Sequence, residues 1–151
     1  MATLIDYALM AGASYISTRA IVNRFPAPDG WAEITESRKN DPSTGFDATH
    51  FKNSLTNEIV ISFAGTDFSQ PGSDFIFGNI PLAVGSVSAQ LVQAAEYYLQ
   101  VKASAPAGAT ITLTGHSLGG GLAALVSGLI TCPQSTAHFL TNGFAHHIHQ
   151  R

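Results

Sequence analysis

A serine at position 117 stands between two glycines, in the pentapeptide GHSLG of residues 115–119. An alternating β-branched run at 109–114 precedes it, and an apolar run of helical composition at 118–130 follows it. A serine at a tight strand-to-helix turn, with small neighbours, is the context of a nucleophile elbow, in which the turn exposes the hydroxyl group. The pattern therefore predicts that Ser117 is a nucleophile for attack on an acyl carbonyl.

The same turn is compatible with two other interpretations. A glycine-rich turn could simply allow close packing, or could cradle a phosphate at a helix N-terminus. The chain has neither a Gly-Lys-Ser/Thr motif nor a GxGxxG motif with a downstream acid, so the phosphate interpretation is disfavoured. His116 is adjacent to the serine, but adjacent residues on a sharp turn point apart. We expect His116 to pack beside the elbow rather than to act as its base.

The elements that must position Ser117 follow from periodicity and turn residues. Apolar spacing predicts helices over about 3–18, 83–103 and 118–130, and β-prone runs predict a hairpin from 46–51 and 58–64 and a buried strand at 109–114. Residues 25–40 are typical of a surface loop with a short strand near 31–34, and 65–81 of a long loop rich in aromatic residues. This alternation predicts an α/β fold with a parallel component in its sheet and covering helices.

Composition sets limits on function. The chain has 151 residues, 45% hydrophobic, with seven basic and ten acidic residues and a net charge of −3. This composition is typical of one domain with a hydrophobic core. The chain lacks the clustered basic charge that nucleic-acid binding requires. No apolar run approaches the roughly 20 residues of a membrane span. The single cysteine, Cys132, excludes an intramolecular disulfide. The first residues do not read as a secretory signal, and the compartment is left open.

Two segments resemble the class 3 lipase family of α/β-hydrolases. They are TGHSLGGGLA at 114–123 and IVISFAGTD at 59–67, which occur in the order and spacing of that family, and the resemblance extends from about residue 46 to about 127. It implies a partial α/β-hydrolase sheet, mixed and mostly parallel, with covering helices. It also implies a small-molecule ester or lipid substrate and hydrolysis without a cofactor or metal.

The resemblance further implies a role for each matching residue. Ser117 would be the nucleophile, and the backbone N–H groups of Thr66 and Leu118 would form the oxyanion hole, with the Thr66 hydroxyl as a third donor. Removing one such donor typically raises the barrier by about 3 kcal/mol. Ala64 stands where the family usually has Arg, which we expect to alter loop anchoring more than chemistry. The apolar loop at 68–81 is placed where a lid or acyl-chain contact would be useful, ordinary packing being the alternative.

The remaining members of a catalytic triad are not identified by sequence. In an α/β-hydrolase the acid and then the histidine follow the serine, yet residues 118–151 contain no Asp or Glu. Asp67 or Asp74 could substitute as the acid, and the downstream candidate bases are His138, His146, His147 and His149. We expect residues 1–131 to form the N-terminal part of a hydrolase core and 132–151 to be an atypical His-rich tail, either mobile and polar or loosely metal-binding.

The sequence is compatible with two functions. The first is a serine carboxylic-ester hydrolase of lipase or esterase type. The second is a truncated hydrolase-derived domain with little turnover, which binds a partner or self-associates as a homo-oligomer through an exposed sheet edge. Loss of ester hydrolysis in a Ser117→Ala variant would favour the first, and a dimer with at most slow ester cleavage would favour the second.

Overall fold

The computed structural model describes residues 1–15, 25–65, 80–130, 136–139 and 146–149. Within these ranges lie three α-helices and seven strands. The helices are α1 (Leu4–Ala13), α2 (Ile80–Ser104) and α3 (Leu118–Ile130), and a 3-10 turn spans Thr35–Ser37. The strands are β1 (Ala32–Glu33), β2 (Lys39–Asp41), β3 (Phe46–Asn53), β4 (Glu58–Phe63), β5 (Thr110–Gly115), β6 (Thr136–Phe139) and β7 (His146–His149).

The strands form one mixed sheet in the order β1-β3-β4-β5-β7-β6, with β2 also paired to β3. The predicted hairpin is confirmed as the antiparallel β3–β4 pair. β4 and β5 are parallel, because α2 provides the crossover between them, and the register places Ile61 beside Leu113. The α/β class with a mixed sheet and helices is therefore confirmed.

The balance of strand directions differs from the expectation of a mostly parallel sheet. Among the described pairs only β4–β5 is parallel, and the other five are antiparallel. A parallel pair requires a long crossover, whereas β3 and β4 are joined by a four-residue turn at 54–57 that permits only the antiparallel arrangement.

Helices cover both faces of the sheet, because successive side chains of a strand point to opposite sides. Ile59, Ile61 and Phe63 of β4 pack in one apolar cluster with residues of α2 and α3. Val60, between them in sequence, packs on the other face in a cluster that includes Met10 of α1. β4 is consequently buried on both sides, which explains why four of its six residues, Ile59, Val60, Ile61 and Phe63, are apolar.

The first helix begins at a capping box and ends earlier than its apolar periodicity predicts. The Thr3 hydroxyl accepts from the Asp6 N–H at 3.2 Å, and the Asp6 carboxylate accepts from the Thr3 N–H at 2.7 Å. α1 ends at Ala13, followed by a turn at Ser14 and Tyr15, and the rest of the expected helix, 16–18, lies outside the described residues.

Two strands occur within the segment 132–151, which the sequence predicts to be a separate tail. β7 pairs antiparallel with β5, His149 opposite Thr112 and Ile148 opposite Leu113, and β6 pairs with β7. These eight residues extend the sheet, and β6 is its outermost described strand on that side. The division of the chain at residue 131 stays a prediction. No helix in the described ranges has both the length and the apolar character needed to cross a membrane.

Candidate functional site

Ser117 has a left-handed backbone conformation. Its φ is 54°, and it stands two residues after the end of β5 and one before the start of α3. A residue with a Cβ adopts positive φ uncommonly, and such positions concentrate at functional sites. The side chain is exposed. The turn thus presents a serine hydroxyl at the carboxyl end of a central strand.

The glycines on either side of this serine are required by close packing. A Cβ atom on Gly119 would overlap the carbonyl oxygen of Phe63, and one on Gly115 would lie 2.7 Å from that same oxygen. Both added Cβ atoms would lie closer to that oxygen than real Cβ atoms do. The spacing of GHSLG therefore allows the turn to lie directly against the end of β4.

The start of α3 is fixed by three backbone hydrogen bonds. The Gly119 N–H donates to the carbonyl of His116 at 3.0 Å, and the N–H groups of Gly120 and Gly121 donate to the carbonyl of Ser117 at 3.0 and 3.2 Å. Leu118 is the first residue of the helix. A first-turn N–H has no acceptor within its own helix and carries the positive end of the helix dipole, so this end suits an anion.

The end of β4 lies beside the elbow. A Cβ atom on Gly65 would be 3.2 Å from Cβ of Ser117 and 2.6 Å from the carbonyl oxygen of His116. The structure thus brings together Ser117, Leu118 and the residue that precedes Thr66. Thr66 itself lies outside the described residues, as do Asp67, Asp74 and residues 68–79 of the apolar loop.

Tyr15 joins the two segments that form the site. Its hydroxyl oxygen accepts a hydrogen bond from the Gly65 N–H at 2.7 Å and lies 3.2 Å from Nδ1 of His116. The Tyr15 and His116 rings meet edge to face, with their centroids 6.2 Å apart. His116 thus contacts Tyr15 beside the elbow, and its packing role in preference to that of a base stays a prediction. Sequence periodicity alone does not indicate this role, because it places Tyr15 only within the apolar pattern of the first predicted helix, 3–18.

The end of α1, and with it Tyr15, is anchored by a partly buried arginine. The Arg38 guanidinium donates to the carbonyl of Ser14. It also forms an ion pair with Glu33 at 2.8 Å and lies 3.4 Å from a carboxylate oxygen of Asp47. Because all three charged side chains are at most 16% exposed, this arrangement is more rigid than a surface ion pair.

Comparison with family models identifies the protein family of the chain. Residues 6–146 match the family model described as "Phospholipase-like: Tle-like phospholipase domain". The chain belongs to this family. The comparison with curated proteins gave no match. The lipase resemblance is thereby confirmed as a lipase-like, phospholipase-type fold, while the narrower assignment to class 3 lipases stays a prediction.

Membership of the Tle-like phospholipase family also sets the general chemistry. It places the chain among lipid-ester hydrolases in general. Within the described residues, no group of three or more His, Cys, Asp or Glu side chains could hold a metal ion. The backbones of His138, His146, His147 and His149 lie on β6 and β7, and their side chains lie outside what the structure describes.

Proposed function

We propose that this member of the Tle-like phospholipase family is a serine carboxylic-ester hydrolase in which Ser117 is the nucleophile. The observation that carries the proposal is the left-handed backbone of an exposed serine, with φ 54°, between β5 and α3. Both the strain and the location are those of a nucleophile elbow. The family description, a phospholipase-like domain, supports an acyl ester of a phospholipid as the substrate class.

The proposed reaction proceeds in two steps. The Ser117 oxygen bonds to the ester carbonyl carbon while its proton passes to a base. The tetrahedral adduct collapses with cleavage of the C–O bond to the alcohol, which takes up that proton and departs. Water then attacks the acyl-serine ester with the same base, releasing the fatty acid and restoring Ser117.

Oxyanion stabilisation is proposed from two backbone N–H groups. Leu118 supplies the first N–H of α3, adjacent to the nucleophile. Thr66 follows Gly65, whose position beside Ser117 supports a second donor from the next peptide group. Two donors aimed at one developing negative charge are the usual arrangement in acyl transfer.

For the base, we propose a histidine of β7. This strand is antiparallel to β5, with His149 opposite Thr112, so its earlier residues lie progressively closer to the carboxyl end of β5. His146, the first residue of β7, is the histidine of this strand whose backbone is closest to the elbow.

The decisive test compares the wild-type protein with Ser117→Ala. Hydrolysis would be followed with a p-nitrophenyl ester and with mixed micelles of a diacyl phosphatidylcholine, measuring fatty-acid release. We expect Ser117→Ala to lower kcat at least about a thousandfold. We also expect a fluorophosphonate to label the wild type at Ser117, located by peptide mass spectrometry. Ser54→Ala, which removes another exposed serine in the β3–β4 turn, serves as the control and should retain wild-type turnover.

One observation supports a second candidate, a hydrolase-derived domain with little turnover. In this alternative the protein self-associates through the edge of the sheet, where β6 is the outermost described strand. A folded dimer by light scattering, with neither turnover nor labelling of Ser117, would favour this candidate over the first.

A further inference from the structure

We infer that Tyr15 is a positioning residue for the proposed reaction, holding the oxyanion segment and the nucleophile elbow in register. The inference rests on the proposed function. It is carried by one hydroxyl group that contacts both segments, 2.7 Å from the Gly65 nitrogen and 3.2 Å from Nδ1 of His116.

The first contact controls the peptide that leads into Thr66. The Gly65 N–H donates to the Tyr15 hydroxyl, and Gly65 is buried. Because glycine has the widest choice of backbone conformations, its φ and ψ must be restrained from outside. Those two angles determine where the next N–H, the proposed Thr66 donor, points. The hydrogen bond to Tyr15 fixes the plane of the Ala64–Gly65 peptide, from which these angles orient the next peptide.

The second contact holds the residue next to the nucleophile. A phenol group has one proton and two acceptor sites, so it can accept from Gly65 and still bond to His116. If Nδ1 of His116 carries no proton, the phenol donates to it. If Nδ1 is protonated, the phenol accepts at its second site. In both tautomers Tyr15 links Gly65 to His116, and through His116 to Ser117.

Tyr15 is well suited to this role because it is itself held in place. Its side chain is 8% exposed, and it follows the end of α1, where Arg38 binds the carbonyl of Ser14. α1 packs on the face of the sheet opposite α2 and α3 through Met10 and its neighbours. The Tyr15 hydroxyl therefore lies at the end of the sheet on a residue whose backbone is held by α1 and by Arg38.

The expected effect of Tyr15→Phe on kcat follows from the loss of rate that a misplaced oxyanion donor causes. Removal of one oxyanion donor typically lowers kcat by about 10²–10³. Loosening a donor costs less, so Tyr15→Phe should lower kcat by roughly 10-fold to 100-fold and leave KM within about twofold, because ground-state binding does not depend on this alignment. Tyr15→Phe removes only the hydroxyl and preserves the packing of the ring.

The test measures kcat and KM for p-nitrophenyl butyrate in Tyr15→Phe, together with hydrogen exchange at the Gly65 amide by NMR. We expect lower kcat, unchanged KM and faster exchange at Gly65. The matched control is Tyr97→Phe. Tyr97 is also buried, and its hydroxyl lies 3.1 Å from Nδ1 of His50 and 3.4 Å from Oγ of Ser37. Its loss should lower stability without lowering kcat.

The possible results separate this inference from the function on which it rests. If wild-type turnover disappears in Ser117→Ala but persists in Tyr15→Phe, the positioning role alone is overturned. An equal loss of kcat in Tyr15→Phe and Tyr97→Phe would also overturn it, because that is a general effect on folding. A wild type without turnover or Ser117 labelling overturns both. If Tyr15→Phe does not fold, His116→Ala is tested in its place, because His116 is exposed. An unchanged kcat in His116→Ala would overturn the positioning role of Tyr15.

Discussion

Ser117 holds a backbone conformation that costs a residue with a Cβ roughly 1–2 kcal/mol relative to the right-handed region. Its φ of 54° is maintained by the hydrogen bonds of the first turn of α3 and by the contact of the turn with β4. A glycine would adopt this conformation without strain. A serine at such a position is therefore better explained by what its hydroxyl does than by stability.

This strain predicts opposite effects on stability and activity. Ser117→Gly should raise the free energy of unfolding by about 1 kcal/mol relative to Ser117→Ala, because relief of strain exceeds the added entropy of an unfolded glycine. Both variants should lack ester hydrolysis. Urea unfolding followed by the fluorescence of Trp31, the only tryptophan, measures the difference.

The control for this prediction is Asn57→Gly. Asn57 has a φ of 58° in the β3–β4 turn, but asparagine tolerates this region better than most residues. Its replacement should therefore yield a smaller gain. A Ser117→Gly protein no more stable than Ser117→Ala would show that the turn is not strained at this residue.

At the residue scale, sequence reasoning works where the determinants are local. The position of Ser117 between a strand and a helix follows from the neighbouring residues 109–130, and the structure has that strand and that helix. Tyr15 could not be found in this way, since its partners Gly65 and His116 are 50 and 101 positions away. Nothing in a local pattern distinguishes a tyrosine that packs from one whose hydroxyl joins two segments.

At the element scale, the sequence predicts the strands and helices that have strong local patterns and misses those that are defined by distant pairing partners. β3, β4, β5 and α3 have strong apolar patterns, and their observed bounds agree with the predicted ones within about two residues. β2 was missed because it is a short polar strand, Lys39–Asp41, that pairs only with the first three residues of β3. β6 and β7 were missed because four of their eight residues are histidine and the others show no strong alternation. Their pairing, β7 with β5 and β6 with β7, defines them as strands.

The register of β7 makes the choice of base testable. His146 precedes His149 by three residues, which is about 10 Å along a strand. Because β7 is antiparallel to β5, the backbone of His146 is the nearer of the two to the elbow. If β7 supplies the base, His146→Gln should lower kcat by at least about 100-fold, and His149→Gln should change it by less than about threefold.

These two variants control for each other, since both replace a histidine of one short strand by the same residue. Steady-state kinetics with the p-nitrophenyl ester would measure the difference, and circular dichroism would confirm that both proteins are folded. A greater loss of kcat in His149→Gln than in His146→Gln would contradict the assignment.

At the scale of the whole molecule, a buried polar network joins three elements far apart in sequence. Nδ1 of His50 in β3 lies 2.9 Å from Oγ of Ser37 in the 3-10 turn and 3.1 Å from the hydroxyl of Tyr97 in α2. Burial raises the pKa of Tyr97 to about 12, so its hydroxyl stays protonated at physiological pH. Burial, with repulsion from Lys52, lowers the pKa of His50 below its ordinary value of 6.5, against a smaller opposing effect of Glu33. The network is therefore held together by neutral groups.

This network predicts that the fold loses stability in mild acid. Above pH 6.5 His50 is neutral in both the folded and the unfolded chain, so its contribution is fully present. Below that pH the unfolded chain binds a proton at His50 more readily than the folded one, and the free energy of unfolding falls, by at most about 1.4 kcal/mol per pH unit for one such group. His50→Gln should flatten the decline below about pH 6.5, as measured by urea unfolding.

Tyr97→Phe provides the control for the pH effect. It removes a hydroxyl that contacts His50 but leaves the imidazole in place, so it should lower stability at every pH while retaining the decline in acid. A His50→Gln variant with the same decline as the wild type would show that other groups cause it. The two variants thus separate the titration of one buried histidine from the hydrogen bonds that join β3, α2 and the 3-10 turn.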